Sequence, residues 1–277
     1  WKACIANFPL YIFSESWYLL MALDPKTLLC EAKALQEELV TLRRDLHAHP
    51  ELGSCEVRTT ALIKTYLEEL SIEVRPCTET GVLGILYGGK PGKTIGLRAD
   101  IDALPIQEET GLPFASKNAG VMHACGHDLH TASLMGAAKI LSAHRDALCG
   151  NVKFFFQPDE EGNGGAERMV RAGCLQDPDV DAVFGGHSST GRIAGHYGLK
   201  YGKTYAASNP FTILIRGQGC HGAYPGSGID SIAVACQVVT ALQTLVSRRI
   251  FATDSAVVTV GSFHAGTAGN IIAGEAE

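Results

Sequence analysis

Short apolar runs of strand composition alternate with amphipathic helical stretches along most of this chain, and that alternation restricts it to few architectures. Leu28, Leu29, Ala32, Leu35, Leu39, Leu42 and Leu46 recur at helical spacing, which predicts a helix over 25–48 stopped by His49-Pro50. A second amphipathic helix is expected over 55–70, and strands over 72–75, 82–87 and 94–99 with turns such as Gly88 to Gly92 between them. A helix over 129–144 comes next. The apolar run 151–157 suits a central strand buried on both faces, and a short helix over 165–172 and a buried strand over 182–186 complete the series. Helices alternating with strands predict an α/β layered domain with a mostly parallel sheet. In such sheets ligands gather beyond the carboxyl ends of the strands. Arg98-Ala99-Asp100-Ile101-Asp102, Asp159-Glu160-Glu161 and His187 each follow a strand.

The pattern changes around Gly202 to Ser208. A strand over 211–216, a long helix over 230–247 and a strand over 255–263 predict a smaller α+β unit, so the expected organisation is an atypical segment 1–23, a layered domain 24–202 and a second domain 203–277. The first segment starts at Trp1, is too broken to span a bilayer and precedes the first methionine, Met21. Gly274-Glu275-Ala276-Glu277 follows a strand-like run and a Gly-rich turn abruptly. These ends predict a chain cut short on both sides.

With 277 residues, 46% of them hydrophobic, the chain can bury a substantial core. Its 23 basic and 29 acidic residues include no long basic run, which argues against nucleic-acid or anionic-membrane partners. Nine singly spaced cysteines suit a reducing, cytoplasmic setting better than a disulfide framework.

The densest chemistry lies in Met122-His123-Ala124-Cys125-Gly126-His127-Asp128-Leu129-His130. Short Cys/His-rich tracts bind metals, but the same residues could be a helix start with Asp128 near its cap and a buried structural cysteine. Cys125 and His127 are too close for a closed zinc knuckle and suit a turn that aims both at one point. Glu160 and Glu161 follow a buried strand. Adjacent side chains on extended backbone point in opposite directions, so one glutamate can bind a metal while the other faces substrate and water. His187 follows Gly185-Gly186 and gains weight only in combination, with His196 as a competitor.

Taken in order, Asp45 to Leu52, Arg98 to Pro105, Val121 to Asp128, Gln157 to Glu161 with Gly164-Gly165-Ala166, Gly219 to Pro225, Ala241 to Arg248 and Gly266 to Ile272 carry a specific resemblance. The chain resembles the metal-dependent amidohydrolases that include hippurate hydrolases, aminoacylase-like N-acyl-amino-acid hydrolases and indole-acetyl-amino-acid conjugate hydrolases. The resemblance implies a catalytic domain with a dinuclear site for two divalent ions, manganese or zinc, and an inserted lid or dimerisation domain that makes a homodimer. It implies a small N-acyl amino acid or peptide-like substrate, whose amide is cleaved by metal-activated water. Cys125 would be a bridging thiolate, with His127, Glu161 and His187 as further ligands. Glu160 would be the general base, Asp100 would orient a ligand, and His221 and Asn270 would reach the substrate or developing oxyanion. Asp159 stands where a small residue is usual and adds a third acid able to disturb the base. Ser188-Ser189 also departs from the family pattern around His187. A last ligand histidine is expected after Glu277.

Two other readings stay open. One is an inactive fragment that acts only as a metal-binding or dimerising module. The other is a cysteine hydrolase using Cys125 with His127, for which no orienting partner is evident.

Overall fold

The strand from Cys149 to Gln157 lies at the middle of the larger of two units. The computed structural model describes residues 24–277 apart from positions 163, 192, 203, 204, 206 and 207, so the expectations for 1–23 lie outside the described residues. One compact unit ends at Ile193 and the other runs from Ala194 to Glu277.

In the first unit, α1 (Pro25–Ala34), α2 (Gln36–Ala48) and α3 (Val57–Glu69) precede β1 (Glu73–Pro76), β2 (Val82–Tyr87) and β3 (Lys90–Asp100). Then come α4 (His127–Ala143), β4 (Cys149–Gln157), α5 (Gly165–Arg171) and β5 (Ala182–Gly185). The single helix expected over 25–48 is interrupted at Leu35. That residue keeps a right-handed helical backbone, and its carbonyl accepts from the Leu39 N–H at 2.9 Å.

The sheet order is β1-β2-β4-β3-β5. It is mixed rather than mostly parallel: β1/β2 and β2/β4 are antiparallel, whereas β3/β4 and β3/β5 are parallel. The short connection 77–81 accounts for the antiparallel β1/β2 pair, because a parallel pair needs a crossover of a dozen or more residues. Alternation sends Val152, Phe154 and Phe156 into one cluster with Ile63, Leu67, Leu134 and Met135. Phe155, Leu83 and Ile85 enter a second cluster with Met169, Cys77 and Cys174. Burying each phenylalanine contributes roughly 1.5–3 kcal/mol, which makes β4 the anchor of both layers. The last strand differs from expectation. β5 pairs only with β3 at the sheet edge, and its Phe184 is 55% exposed.

Register brings three strand ends to one place, with Asp100 opposite Gln157 and Arg98 opposite Gly185.

The second unit holds two short antiparallel pairs and a long helix. β6 (Ile215–Arg216) pairs with β9 (Glu275–Ala276), β7 (Cys220–His221) pairs with β8 (Ile271–Ile272), and α6 spans Ser231–Arg249. The strand expected over 211–216 is reduced to its last two residues, and 255–263 forms no strand. A strand requires a ladder partner, and Phe211 and Val257 are instead 63% and 86% exposed. The helix start agrees with its sequence, since the Asp230 carboxylate accepts from the Ile232 and Ala233 N–H groups at 2.9 and 3.1 Å. Asp230→Ala is expected to destabilise this unit by about 1 kcal/mol. Urea titration followed by helical circular dichroism checks it, and an unchanged midpoint would show that the cap is energetically silent.

Candidate metal centre

Each candidate ligand in the first unit sits where a regular element begins or ends. Gly126 adopts φ +84°, a backbone that disfavours side chains, and it separates Cys125 from the first residue of α4, His127. Asp128 is buried in that first turn but does not cap it. Its carboxylate holds His47 Nδ1 at 2.8 Å and Arg43 Nε at 2.7 Å.

His127 is fully buried and held in one tautomer. Its Nδ1 donates to the Asp102 carbonyl at 2.9 Å and to Asp102 Oδ1 at 3.1 Å, leaving Nε2 as the lone-pair nitrogen. That Nε2 has no hydrogen-bond partner among the described residues; Asp100 Oδ2 lies 3.6 Å away and Glu161 Oε1 3.8 Å. The other oxygen of Asp102 accepts the Glu161 N–H at 2.9 Å. The orienting contact on His127 therefore comes from Asp102, which the sequence motif contained but did not single out. Asp100 instead holds His130 Nδ1 at 2.6 Å and pairs with Arg98 Nη1 at 2.7 Å.

His187 lies just beyond β5, with Nδ1 donating to the Ser188 carbonyl at 2.7 Å and Nε2 3.4 Å from Cys125 Sγ. Ser188, an apparent departure in sequence, joins this strand end to α4. Its N–H donates to His130 Nε2 at 2.8 Å and its hydroxyl to the Cys125 carbonyl at 3.2 Å. Both nitrogens of His130 are thereby occupied, so its role is to support its neighbours.

The carboxylate loop after β4 turns sharply. Asp159 has φ +50°, and a Cβ on Gly165 would collide with the Pro158 carbonyl oxygen. Asp159 is no third acid in the centre. Its side chain is buried and accepts from Ser54 Oγ at 2.9 Å and Arg168 Nη2 at 2.8 Å. Its N–H donates at 2.8 Å to Glu56, a buried carboxyl raised chiefly by burial.

Donor atoms of Cys125, His127 and His187 lie within 4.8 Å of one another, as do those of His127, Glu160 and Glu161 and those of Asp100, His127 and His130. The electrostatics are those of crowded negative charge. Partial burial first, then Glu161, Asp100 and Glu160, pushes the Cys125 thiol up to about 12. Glu160 is raised by burial and by Glu161 and Asp100, against Arg98 and His127. Burial opposes the charge on Asp100, but His130, Arg98 and His127 hold it down at about 2. Burial likewise opposes protonation of His127, and Asp102, Asp100 and Glu161 outweigh it. The Cys125–His127 pair expected of a cysteine hydrolase is not joined by a hydrogen bond among the described residues: Cys125 Sγ meets His187 Nε2 at 3.4 Å, and His127 Nδ1 is taken by Asp102. Mixed N, O and S donors around an unpartnered buried nitrogen fit a divalent transition metal, and binding would displace the thiol proton.

His221 and Asn270 come together in the second unit. His221 pairs with Ile271, and the Asn270 carbonyl accepts the Gly222 N–H at 2.7 Å.

A separate buried network lies behind α4. His47 bridges Asp128 and, at 3.3 Å, Glu108. The Asp128 hydrogen bond, opposed by burial, raises the pKa of His47 above its ordinary value. A raised native value gives stability that is complete below about pH 6.5 and is lost as pH rises through the native value. His47→Gln is expected to remove this part of the slope, read from urea midpoints measured on either side of neutrality in both proteins. Parallel profiles would refute the assignment.

The model of peptidase family M20/M25/M40 matches residues 96–270. The chain is 47% identical over 247 residues to an N-acetylcysteine deacetylase of Bacillus subtilis, covering 88% of this chain and 64% of that protein. It is 46% identical over 245 residues to an N-acyl-L-amino acid amidohydrolase of Geobacillus stearothermophilus, covering 88% and 66%. The crystal structure of the Bacillus subtilis YXEP protein, described as a dinuclear metal binding peptidase from the M20 family, superposes with a TM-score of 0.66 at 42% identity. That superposition covers 88% of this chain and 63% of the other. The chain thus spans 64% of the length of the first of these relatives.

Proposed function

Because the chain belongs to peptidase family M20/M25/M40, we propose that it is a metal-dependent amidohydrolase cleaving the amide bond of N-acyl amino acids or related small peptide conjugates. The observation that carries this reading is the buried Nε2 of His127, which has no hydrogen-bond partner among the described residues and is set among Cys125, His187, Glu160 and Glu161. The activities for which the relatives are named, N-acetylcysteine deacetylation and N-acyl-L-amino acid hydrolysis, support this substrate class.

Cys125, His127, Glu161 and His187 would hold two divalent ions, manganese or zinc. Such ions, when bound, polarise a carbonyl and make water a strong nucleophile near neutral pH. Everything else falls to side chains. Asp102 fixes the His127 tautomer and, through the Glu161 N–H, the position of that carboxylate. Glu160 has its proton affinity raised by burial and by its acidic neighbours, so it takes a proton from the attacking water and returns it to the leaving amine nitrogen. His221 and Asn270 would meet the substrate or the developing oxyanion, and the second unit would serve as a lid and as the interface of a homodimer.

A panel of N-acyl amino acids assayed with and without added Mn²⁺ or Zn²⁺ tests the reading. Turnover that requires the metal and is abolished by a chelator is expected. Failure of the metal-loaded protein to cleave any member would overturn it.

A further inference from the structure

Two residues with left-handed backbones meet behind the carboxylate loop. Among the described residues four non-glycine residues have positive φ, and two of them, Ser54 at +64° and Asp159 at +50°, are joined by a hydrogen bond. Such a backbone is disfavoured for residues with a side chain, and it persists where the surroundings fix it, often beside a functional site.

Asp159 is fixed from four directions. Its N–H donates to Glu56 Oε1 at 2.8 Å, and its carbonyl accepts the Gly165 N–H at 3.1 Å. Its Oδ2 accepts from Ser54 Oγ at 2.9 Å and from Arg168 Nη2 at 2.8 Å. Arg168 Nη2 also donates to Ser54 Oγ at 3.0 Å, which closes a triangle between the start of α3, the loop and α5. Glu56 is fully buried, and its second oxygen accepts from Thr80 Oγ1 at 2.6 Å, so the acceptor of the Asp159 N–H is itself held. A Cβ on Gly53 or Gly162 would collide with Asp159 Oδ1, which shows how closely the carboxylate is packed.

None of these contacts falls on Glu160, the next residue. Beyond it, the Glu161 N–H donates to Asp102 Oδ2 at 2.9 Å. Glu160 thus lies between two anchored peptide units. We propose that Asp159 is a positioning residue: with Ser54, Glu56 and Arg168 it forms a clamp that holds the left-handed turn and so aims the Glu160 carboxylate at the attacking water. The proposal rests on Glu160 being the base of the reaction proposed above. A base must stand within hydrogen-bond reach of the proton it takes, and a displacement of about 1 Å costs about 10²-fold in rate.

Substitution separates the clamp from the backbone it imposes. Asp159→Gly suits the left-handed conformation better but removes the side-chain acceptor. With the chain loaded with Zn²⁺ and assayed at saturating metal, it is expected to lower kcat by about 10²-fold with KM nearly constant, because Asp159 acts through Glu160 and does not bind substrate. Amide exchange gives a second reading. Protection of the residue 159 and Gly165 amides is expected to fall about tenfold or more while that of β4 is kept. Asp159→Asn keeps an oxygen for Ser54 and Arg168 and tolerates the left-handed backbone, so it is expected to lie nearer the parent chain in both readings. Full kcat in Asp159→Gly, unchanged loop protection, or Asp159→Asn no better than Asp159→Gly would overturn the proposal. If Asp159→Gly does not fold, Arg168→Ala removes one donor at a partly exposed position and carries the same test with smaller shifts in the same direction; no shift overturns it. A parent chain that cleaves no N-acyl amino acid would refute the reaction itself. Exchange then decides the clamp alone: protection lost only in this loop supports it, and protection retained overturns it.

Discussion

Glu160→Gln is expected to lower kcat for N-acyl amino acid hydrolysis by about 10²- to 10⁴-fold while metal binding and folding stay intact. The substitution keeps the shape of the side chain and removes only its capacity to take a proton. Glu160 is not among the four proposed ligands, so its loss should leave the metal titration of the protein unchanged. A base that acts only as the transition state forms should also lower kcat and kcat/KM together, with KM nearly constant. Asp159 offers no rescue: its carboxylate is buried against Ser54 and Arg168, and its backbone N–H is held by Glu56. Glu161 is the competitor, within 4.8 Å of the same His127 nitrogen. If Glu160→Gln keeps full turnover and Glu161→Gln loses turnover with metal retained, the two glutamates exchange roles and the assignment here is wrong.

What could be read from the sequence differs by the range of the interaction involved. The apolar run 151–157 declared a two-faced strand because burial on both sides leaves no polar alternation, and β4 is that strand. The strand-end placement of Asp100, Glu160, Glu161 and His187 could be read for the same reason, since each follows a local pattern. Pairing direction could not be read in that way. β2 lies beside β4 rather than beside β3, a choice made by contacts across the sheet. The run 255–263 has strand composition, but it finds no ladder partner among the described residues, and composition alone does not supply one.

Side-chain direction was the other hidden quantity. Asp159 looked like an extra acid because sequence adjacency to Glu160 suggests a shared site. Its positive φ sends it to Ser54 and Arg168 instead. Ser188 looked foreign to a ligand histidine, yet its N–H and hydroxyl tie β5 to α4. Asp102 lies inside the Arg98 to Pro105 motif, where the sequence marks no role for it. The signal that could have found it is its position two residues after Asp100, just past a strand that ends at the cluster.

Asp102→Asn is expected to weaken metal binding by about 10- to 100-fold, the usual cost of losing an outer hydrogen bond to a ligand. The two carboxylate oxygens each accept, one from His127 Nδ1 and one from the Glu161 N–H. An amide has one acceptor and one donor, so it cannot serve both. If its oxygen stays with Glu161, its NH₂ group faces His127 Nδ1 and favours the tautomer protonated on Nε2, whose lone pair is then lost to a metal. If it turns the other way, the NH₂ group confronts the Glu161 N–H and the loop carrying both glutamates shifts. Either outcome damages a proposed ligand without deleting one. Calorimetric titration of the metal-free protein with Mn²⁺ or Zn²⁺ measures the effect, and activity at saturating metal separates its consequences. Recovery of most turnover at high metal would point to the affinity loss alone, whereas low kcat at saturation would point to misplacement of Glu160. Unchanged affinity in a folded Asp102→Asn protein would mean that Asp102 does not govern the donor state of His127.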